Sequence, residues 1–193
     1  MKWYEYILFV IMFVVVMTTV QTCCGHVADW LDPAEGAEIT TMTGFAIQPA
    51  GLFASTEKVE VWLSTLSTDL YGRHLAGDLW AVLEGEIMLG YRTNEGNGLL
   101  LVAQPVLTFP YQLVKGFSPY LKLMAGISWN SMSVEGMGLP LNFTPSVGAG
   151  ARFQASSKRS VLLEYRLTHL SNSGLSEQNV GINMHTVLVG TKW

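Results

Sequence analysis

No cysteine follows Cys24 in this chain. Beyond that point it can build no disulfide framework, thiolate metal site or cysteine nucleophile. Charge is scarce too: Asp, Glu, Lys and Arg make up 13% of 193 residues, about half the usual share of ~25%. The net charge of −4 offers no basic surface, which excludes nucleic acid as a partner. The four histidines (His26, His74, His169, His185) are scattered, and none sits beside carboxylates at a ligand spacing, so no metal and no cofactor is expected. The glycine-rich run Asn94-Glu-Gly-Asn-Gly precedes a strand pattern rather than a helix and reads as a turn, not a phosphate loop. Long apolar runs are also missing. After the amino terminus none approaches the roughly 20 residues of a spanning helix, although 49% of the residues are hydrophobic. Apolar content without apolar runs is what results when lipid-facing residues recur at every second position.

The amino terminus has Lys2, an apolar core from Tyr6 to Val20, and then Thr22-Cys23-Cys24-Gly25. One early positive charge, an apolar stretch and small residues after it read as a signal peptide over residues 1–25. The alternative is an uncleaved membrane anchor, for which the apolar core is short. The cleavage point is not readable. Val20-Gln-Thr-Cys is a poor match to a lipoprotein acylation site, which leaves lipidation of Cys23 or Cys24 open. Residues 26–38, containing Asp29-Trp-Leu-Asp-Pro-Ala-Glu-Gly, form a lead-in segment without periodicity, and residues 39–193 form the body.

The body offers one alternating segment after another. Thr40 to Ile47 is a candidate first strand. Val59, Val61 and Leu63 alternate with Glu60, Trp62 and Ser64. Leu79, Ala81, Leu83, Gly85, Ile87, Leu89 and Tyr91 share one face, with Trp80, Val82, Glu84, Glu86, Met88 and Gly90 opposite. Leu99 to Phe109 is more continuously apolar. Leu121 to Trp129, Phe143 to Phe153, Val161 to Ser171 and Asn183 to Trp193 follow. Alternation at period two is the signature of strands with two unlike faces. About eight such strands, several near the 9–11 residues that cross a bilayer, predict an all-β fold: an eight-stranded antiparallel transmembrane β-barrel. Aromatic residues near strand ends (Trp80, Tyr91, Trp129, Phe143, Phe153) and the terminal Trp193 suit interfacial girdles. Glu84, Glu86, Lys122, Arg152, Glu164 and Arg166 are expected inside such a barrel, as mutually neutralising charges rather than catalytic groups.

On the segment from Val161, the odd positions are Val161, Leu163, Tyr165, Leu167, His169 and Ser171. An apolar, lipid-facing side therefore ends in a histidine and a serine. With an even strand number and both termini on the periplasmic side, they lie near the outer leaflet. A serine becomes a nucleophile when a base takes its proton and a third group orients that base. His-x-Ser alone is common and is usually idle. Asn172, Gly174, Asn179, Gly181 and Asn183 close by could supply N–H donors to an oxyanion, or could be plain turn residues.

The stretch His169-Leu-Ser-Asn-Ser-Gly-Leu, then Gln178-Asn-Val-Gly-Ile-Asn and a closing strand, resembles the PagL family of outer-membrane lipid A 3-O-deacylases. Leu83-Glu-Gly-Glu-Ile-Met-Leu-Gly-Tyr and Pro119-Tyr-Leu-Lys-Leu-Met-Ala-Gly-Ile-Ser resemble its middle strands. The resemblance implies an eight-stranded barrel in the bacterial outer membrane, with Ser171 as nucleophile and His169 as base. Asn172, Gly174 and Asn179 would be the oxyanion and loop-shaping group. Its partner would be lipid A of lipopolysaccharide in the outer leaflet, and a homodimer is compatible with it. One position departs from the family: the residue aligned with its orienting Glu is Asn183. An amide oxygen can accept the imidazole N–H but brings no charge. Glu177 in the turn is a possible substitute; His185 is an extra histidine on the face of Asn183. Three functions remain, in this order: a serine esterase removing an ester-linked acyl chain from lipid A, a non-catalytic structural or host-contacting barrel of the same fold, and a soluble lipid-binding barrel.

Overall fold

The computed structural model describes residues 32–33, 38–48, 57–94 and 98–193. The expected signal peptide, both cysteines, His26 and most of the lead-in lie outside the described residues. In chain order the strands are β1 (Asp32–Pro33), β2 (Ile39–Gln48), β3 (Val59–Ala76), β4 (Leu79–Arg92), β5 (Leu99–Pro110), β6 (Phe117–Met124), β7 (Ile127–Asn130), β8 (Leu141–Phe143), β9 (Ser146–Ser156), β10 (Arg159–Leu170) and β11 (Ile182–Lys192). All pairings are antiparallel, and β11 returns to pair with β2, so the sheet closes. β6 and β7 together form one stave, as do β8 and β9, because both members of each pair share neighbours. The barrel therefore has eight staves, as the alternation predicts. Among the described residues no helix is long and apolar enough to cross a membrane; strands do the crossing.

Burial is inverted relative to a water-soluble protein. Leu66, Leu89, Leu121, Leu123, Leu163, Val187 and Val189 are all more than half exposed. Glu84, Glu86, Lys122, Glu164 and Arg166 are buried. An apolar belt outside and paired charges inside form a stable arrangement only where hydrocarbon surrounds the barrel. Phe45, Trp62 and Tyr91 lie in register across β2, β3 and β4 near one rim. Trp80, Tyr111, Phe153 and Trp193 are exposed near the other. The turns 77–78 and 157–158 are short, whereas the connections 49–58, 131–140 and 171–181 are long, which puts the last three outside the cell. Both ends of the barrel chain meet on the periplasmic side, where Ile39 and Trp193 exchange backbone hydrogen bonds of 2.8 and 3.0 Å.

The interior has two halves. The middle and periplasmic half carries the expected charges. Arg166 grips Glu86 with two bonds of 2.6 and 2.7 Å and also binds Glu164. Lys122 lies 3.3 Å from both Glu84 and Glu164. The Tyr120 hydroxyl donates to Glu164, the Ser67 hydroxyl to Glu84 and the Gln104 amide to Glu86, so three carboxylates are held by two cations and neutral donors. Arg152 sits lower, 3.8 Å from Glu38. The outer half is mainly apolar. Val59, Val61, Leu63, Leu100, Leu170, Ile182 and Met184 fill it, and Trp62 between them faces out. An interior this narrow is packed with side chains rather than water, and the apolar plug seals it from the cell exterior.

Two predicted strands are broken. Leu121 to Trp129 is interrupted at Ala125–Gly126, and Phe143 to Phe153 at Thr144–Pro145. Pro145 lacks an N–H and cannot hold a central ladder position. Gly126 lies against the second break: a Cβ there would come within 2.5 Å of Gln104 Cβ and 2.9 Å of Thr144 Oγ1. The two interruptions face each other beside the end of β10.

Candidate active site

β10 holds the exposed face predicted for it: Val161, Leu163, Tyr165 and Leu167 are exposed, while Leu162, Glu164, Arg166, Thr168 and Leu170 are buried. His169 continues the outward series, and its register partner on β11 is Asn183. Cross-strand neighbours on one face are close enough to touch, and here they do. The Nδ1–H of His169 donates to Asn183 Oδ1 at 2.7 Å. That bond leaves Nε2 as the proton acceptor. Ser171 lies one pleat repeat further on. Its N–H donates to the Phe143 carbonyl at 3.1 Å and its carbonyl accepts from the Phe143 N–H at 2.8 Å, so the strand pleat extends to it. Among the described residues no hydrogen bond joins Ser171 to His169. Such bonds are commonly long in the absence of substrate and tighten in the reacting complex.

The approach to the ring is set by Gly181, at φ +75°. A Cβ there would lie 2.9 Å from His169 Cε1 and 3.4 Å from Nε2. Only glycine lets the returning loop adopt this backbone and pass so close. Below the ring is an outer-surface groove of about 510 Å³ lined by Leu123, Met124, Pro145, Val147, Leu167 and His185 among others. It lies where the two broken staves face β10, and the His169 main-chain N–H donates to the Pro145 carbonyl at 3.0 Å. An apolar trough thus leads down the membrane face from the His169–Asn183 pair.

Asn172, Gly174 and Asn179 are brought together, though chiefly with one another. The Asn172 N–H donates to Asn179 Oδ1 at 2.9 Å, and Asn172 Nδ2 donates to the Gln178 carbonyl at 2.8 Å. Gly174 N–H donates to Asn172 Oδ1 at 3.0 Å. These donors are occupied in shaping the loop. Between them Ser173 adopts φ 54°, the single left-handed non-glycine among the described residues; such conformations cluster at functional sites. Glu177 is exposed and makes no hydrogen bond or ion pair with His169 among the described residues. His185 pairs with Tyr165, whose hydroxyl lies 2.6 Å from Nδ1.

Sequence reasoning missed Gln48. Its side chain, fully buried at the outer end of β2, accepts the Asn183 N–H at 2.8 Å and donates to the Glu57 carbonyl at 3.0 Å. The signal was present: a lone amide on the inward face that also carries Thr40, Met42 and Ala46. Buried Arg92 was missed too. It binds the Glu57 carboxylate, the Asn94 side chain and, at 2.6 Å, the Ser133 carbonyl, tying three outer connections together. Burial raises the Glu57 pKa, but the Arg92 hydrogen bond, the Glu135 N–H and the Arg92 charge outweigh it and hold the carboxyl below its ordinary value.

Among curated proteins no sequence matches this chain. Among solved structures, the outer membrane enzyme PagL superposes with a TM-score of 0.63 at 20% identity, covering 79% of this chain and 97% of that one. Neisserial surface protein A (NspA) gives a TM-score of 0.58 at 14% identity, with 82% and 98% covered. Ail, the attachment invasion locus protein of Yersinia pestis, gives 0.50 at 15%, with 82% and 98% covered. These likenesses establish the fold. The family model for lipid A 3-O-deacylase (PagL) matches residues 58–192, and the chain therefore belongs to this family, as a β-barrel of the bacterial outer membrane.

Proposed function

We propose that this barrel is a serine esterase that removes an ester-linked acyl chain from lipid A. The observation that carries the reading is the outward-facing His169, oriented by Asn183 at 2.7 Å above an apolar trough on the lipid side. A substrate already anchored in the outer leaflet reaches such a site by lateral diffusion, with its acyl chain along Leu167, Val147 and Leu123. Ser171 Oγ attacks the ester carbonyl carbon while its proton passes to His169 Nε2. The tetrahedral intermediate collapses, the bond to the sugar oxygen breaks, and Nε2 returns the proton to that oxygen. Water, deprotonated by the same nitrogen, then releases the fatty acid from Ser171. The oxyanion falls to donors that the Asn172–Asn179 scaffold leaves uncommitted, Ser173 N–H and Asn179 Nδ2. Preorganised donors of this kind stabilise developing charge strongly in a water-poor site.

A second reading, a non-catalytic surface barrel, is favoured by one observation: the orienting group is a neutral amide. The test is expression of the wild type and Ser171→Ala in a Gram-negative outer membrane, with lipid A acylation read by mass spectrometry. Wild type should yield lipid A lacking one acyl chain and the variant should not. Identical lipid A from both and from the empty vector would leave the second reading.

A further inference from the structure

The strand β2 ends at Gln48, and its register with β11 stops at Ile47 opposite His185. Asn183, two residues earlier on β11, pairs with His169 of β10. The Gln48 side chain reaches back to it, with Oε1 accepting the Asn183 N–H at 2.8 Å. Its Nε2 donates to the Glu57 carbonyl at 3.0 Å. Glu57 is itself fixed, by Arg92 through one carboxylate oxygen and by the Glu135 N–H through the other at 2.9 Å. A continuous hydrogen-bonded path thus runs from His169 through Asn183, Gln48 and Glu57 to Arg92.

We infer that Gln48 is a positioning residue: it holds Asn183 in place for His169 and locks that pair to the clamp formed by the outer connections. The inference rests on the reading of His169 and Asn183 as the working pair. A neutral orienter makes this support consequential. An amide holds imidazole through geometry alone, since it lacks the longer-range attraction of a carboxylate. A small drift of Asn183 therefore loses the bond. A purely structural amide at this site would seal the barrel rim and leave the ring unaffected.

The test compares Gln48→Met, Gln48→Asn and a control, Gln104→Met, which removes another buried amide inside the lumen. Met keeps the volume without the hydrogen bonds, and Asn keeps the amide but is one methylene short. The first readout is the His169 ring Nδ1–H resonance in micelles, assigned by its loss in His169→Gln. The second is deacylation of lipopolysaccharide. Both Gln48 variants should broaden or lose the resonance and lower kcat about tenfold, the scale expected of a displaced catalytic group, with KM changed by less than about twofold. Gln104→Met should retain both signals. An unchanged resonance in both Gln48 variants overturns the inference, as does an equal loss in Gln104→Met. Should Gln48→Met fail to fold, Gln48→Asn decides alone. If the wild type cleaves no lipid, the proposed function falls, while the resonance still decides the role of Gln48.

Discussion

Replacing Asn183 by Asp tests how the orienting position works, because the two side chains are isosteric and differ by a charge. In the wild type, Asn183 Oδ1 accepts the His169 Nδ1–H at 2.7 Å, and an aspartate oxygen can occupy the same point. A neutral hydrogen bond contributes about 1 kcal/mol, and one to a charged group about 1.5–3 kcal/mol. In the proposed mechanism the difference acts when the imidazole takes up the Ser171 proton in the transition state. About 0.5–2 kcal/mol there corresponds to a rise in kcat of roughly two- to thirtyfold. Part of the gain is offset, because Asn183 is only half exposed and a carboxylate loses hydration there. The assay is acyl release from lipopolysaccharide micelles at pH 7, with kcat and KM measured separately and folding checked by heat-modifiable gel migration. Asn183→Asp should raise kcat with little change in KM, and Asn183→Ala should lower it. A folded Asn183→Asp no faster than wild type, together with an Asn183→Ala equal to it, would refute the claim that this residue orients the ring.

Three further outcomes follow from the same structure. Gly181→Ala must adopt φ +75° with a Cβ 2.9 Å from His169 Cε1; it should fold with a small loss of stability and lose deacylation by about a hundredfold, read by lipid A mass spectrometry. Arg166→Met leaves Glu86 and Glu164 buried without their guanidinium partner, and should destabilise the barrel by about 3–5 kcal/mol in urea unfolding from lipid vesicles. Glu57 has a folded-state pKa below its ordinary value of 4.5, so its tether contributes above that value and is lost as pH falls through the lower, folded one. Protease cleavage in the outer connections should accordingly increase on acidification below pH ~4.5, and Glu57→Gln should abolish that pH dependence.

Much of the architecture was legible because the strand period is two and the two faces differ in chemistry. Leu163 and Tyr165 against Glu164 and Arg166 gave the direction of β10, and the structure agrees. What failed to show was inward apolarity. Val59, Val61 and Leu63 look like a lipid face but fill the outer half of the lumen, since a packed interior and a lipid surface both select aliphatic side chains. The breaks at Gly126 and Pro145 were also hidden, although Pro145 carried a signal in its missing donor. At the site, the residue types around His169 were readable, but their bonding was not. Asn172 looks like an oxyanion donor in the sequence and is occupied with Gln178 and Gly174 in the fold. Gln48 lies 135 residues from Asn183, and a contact that remote is set by barrel closure rather than by any local pattern.

The central claim is that Ser171 is a nucleophile reached from the lipid side. It is tested most directly by treating the barrel in lipid vesicles with a long-chain alkyl fluorophosphonate and locating the adduct by peptide mass. Covalent labelling on Ser171, abolished in His169→Ala and retained in Ser173→Ala, is the predicted result. A folded barrel that remains unlabelled, or one labelled equally without His169, would contradict it.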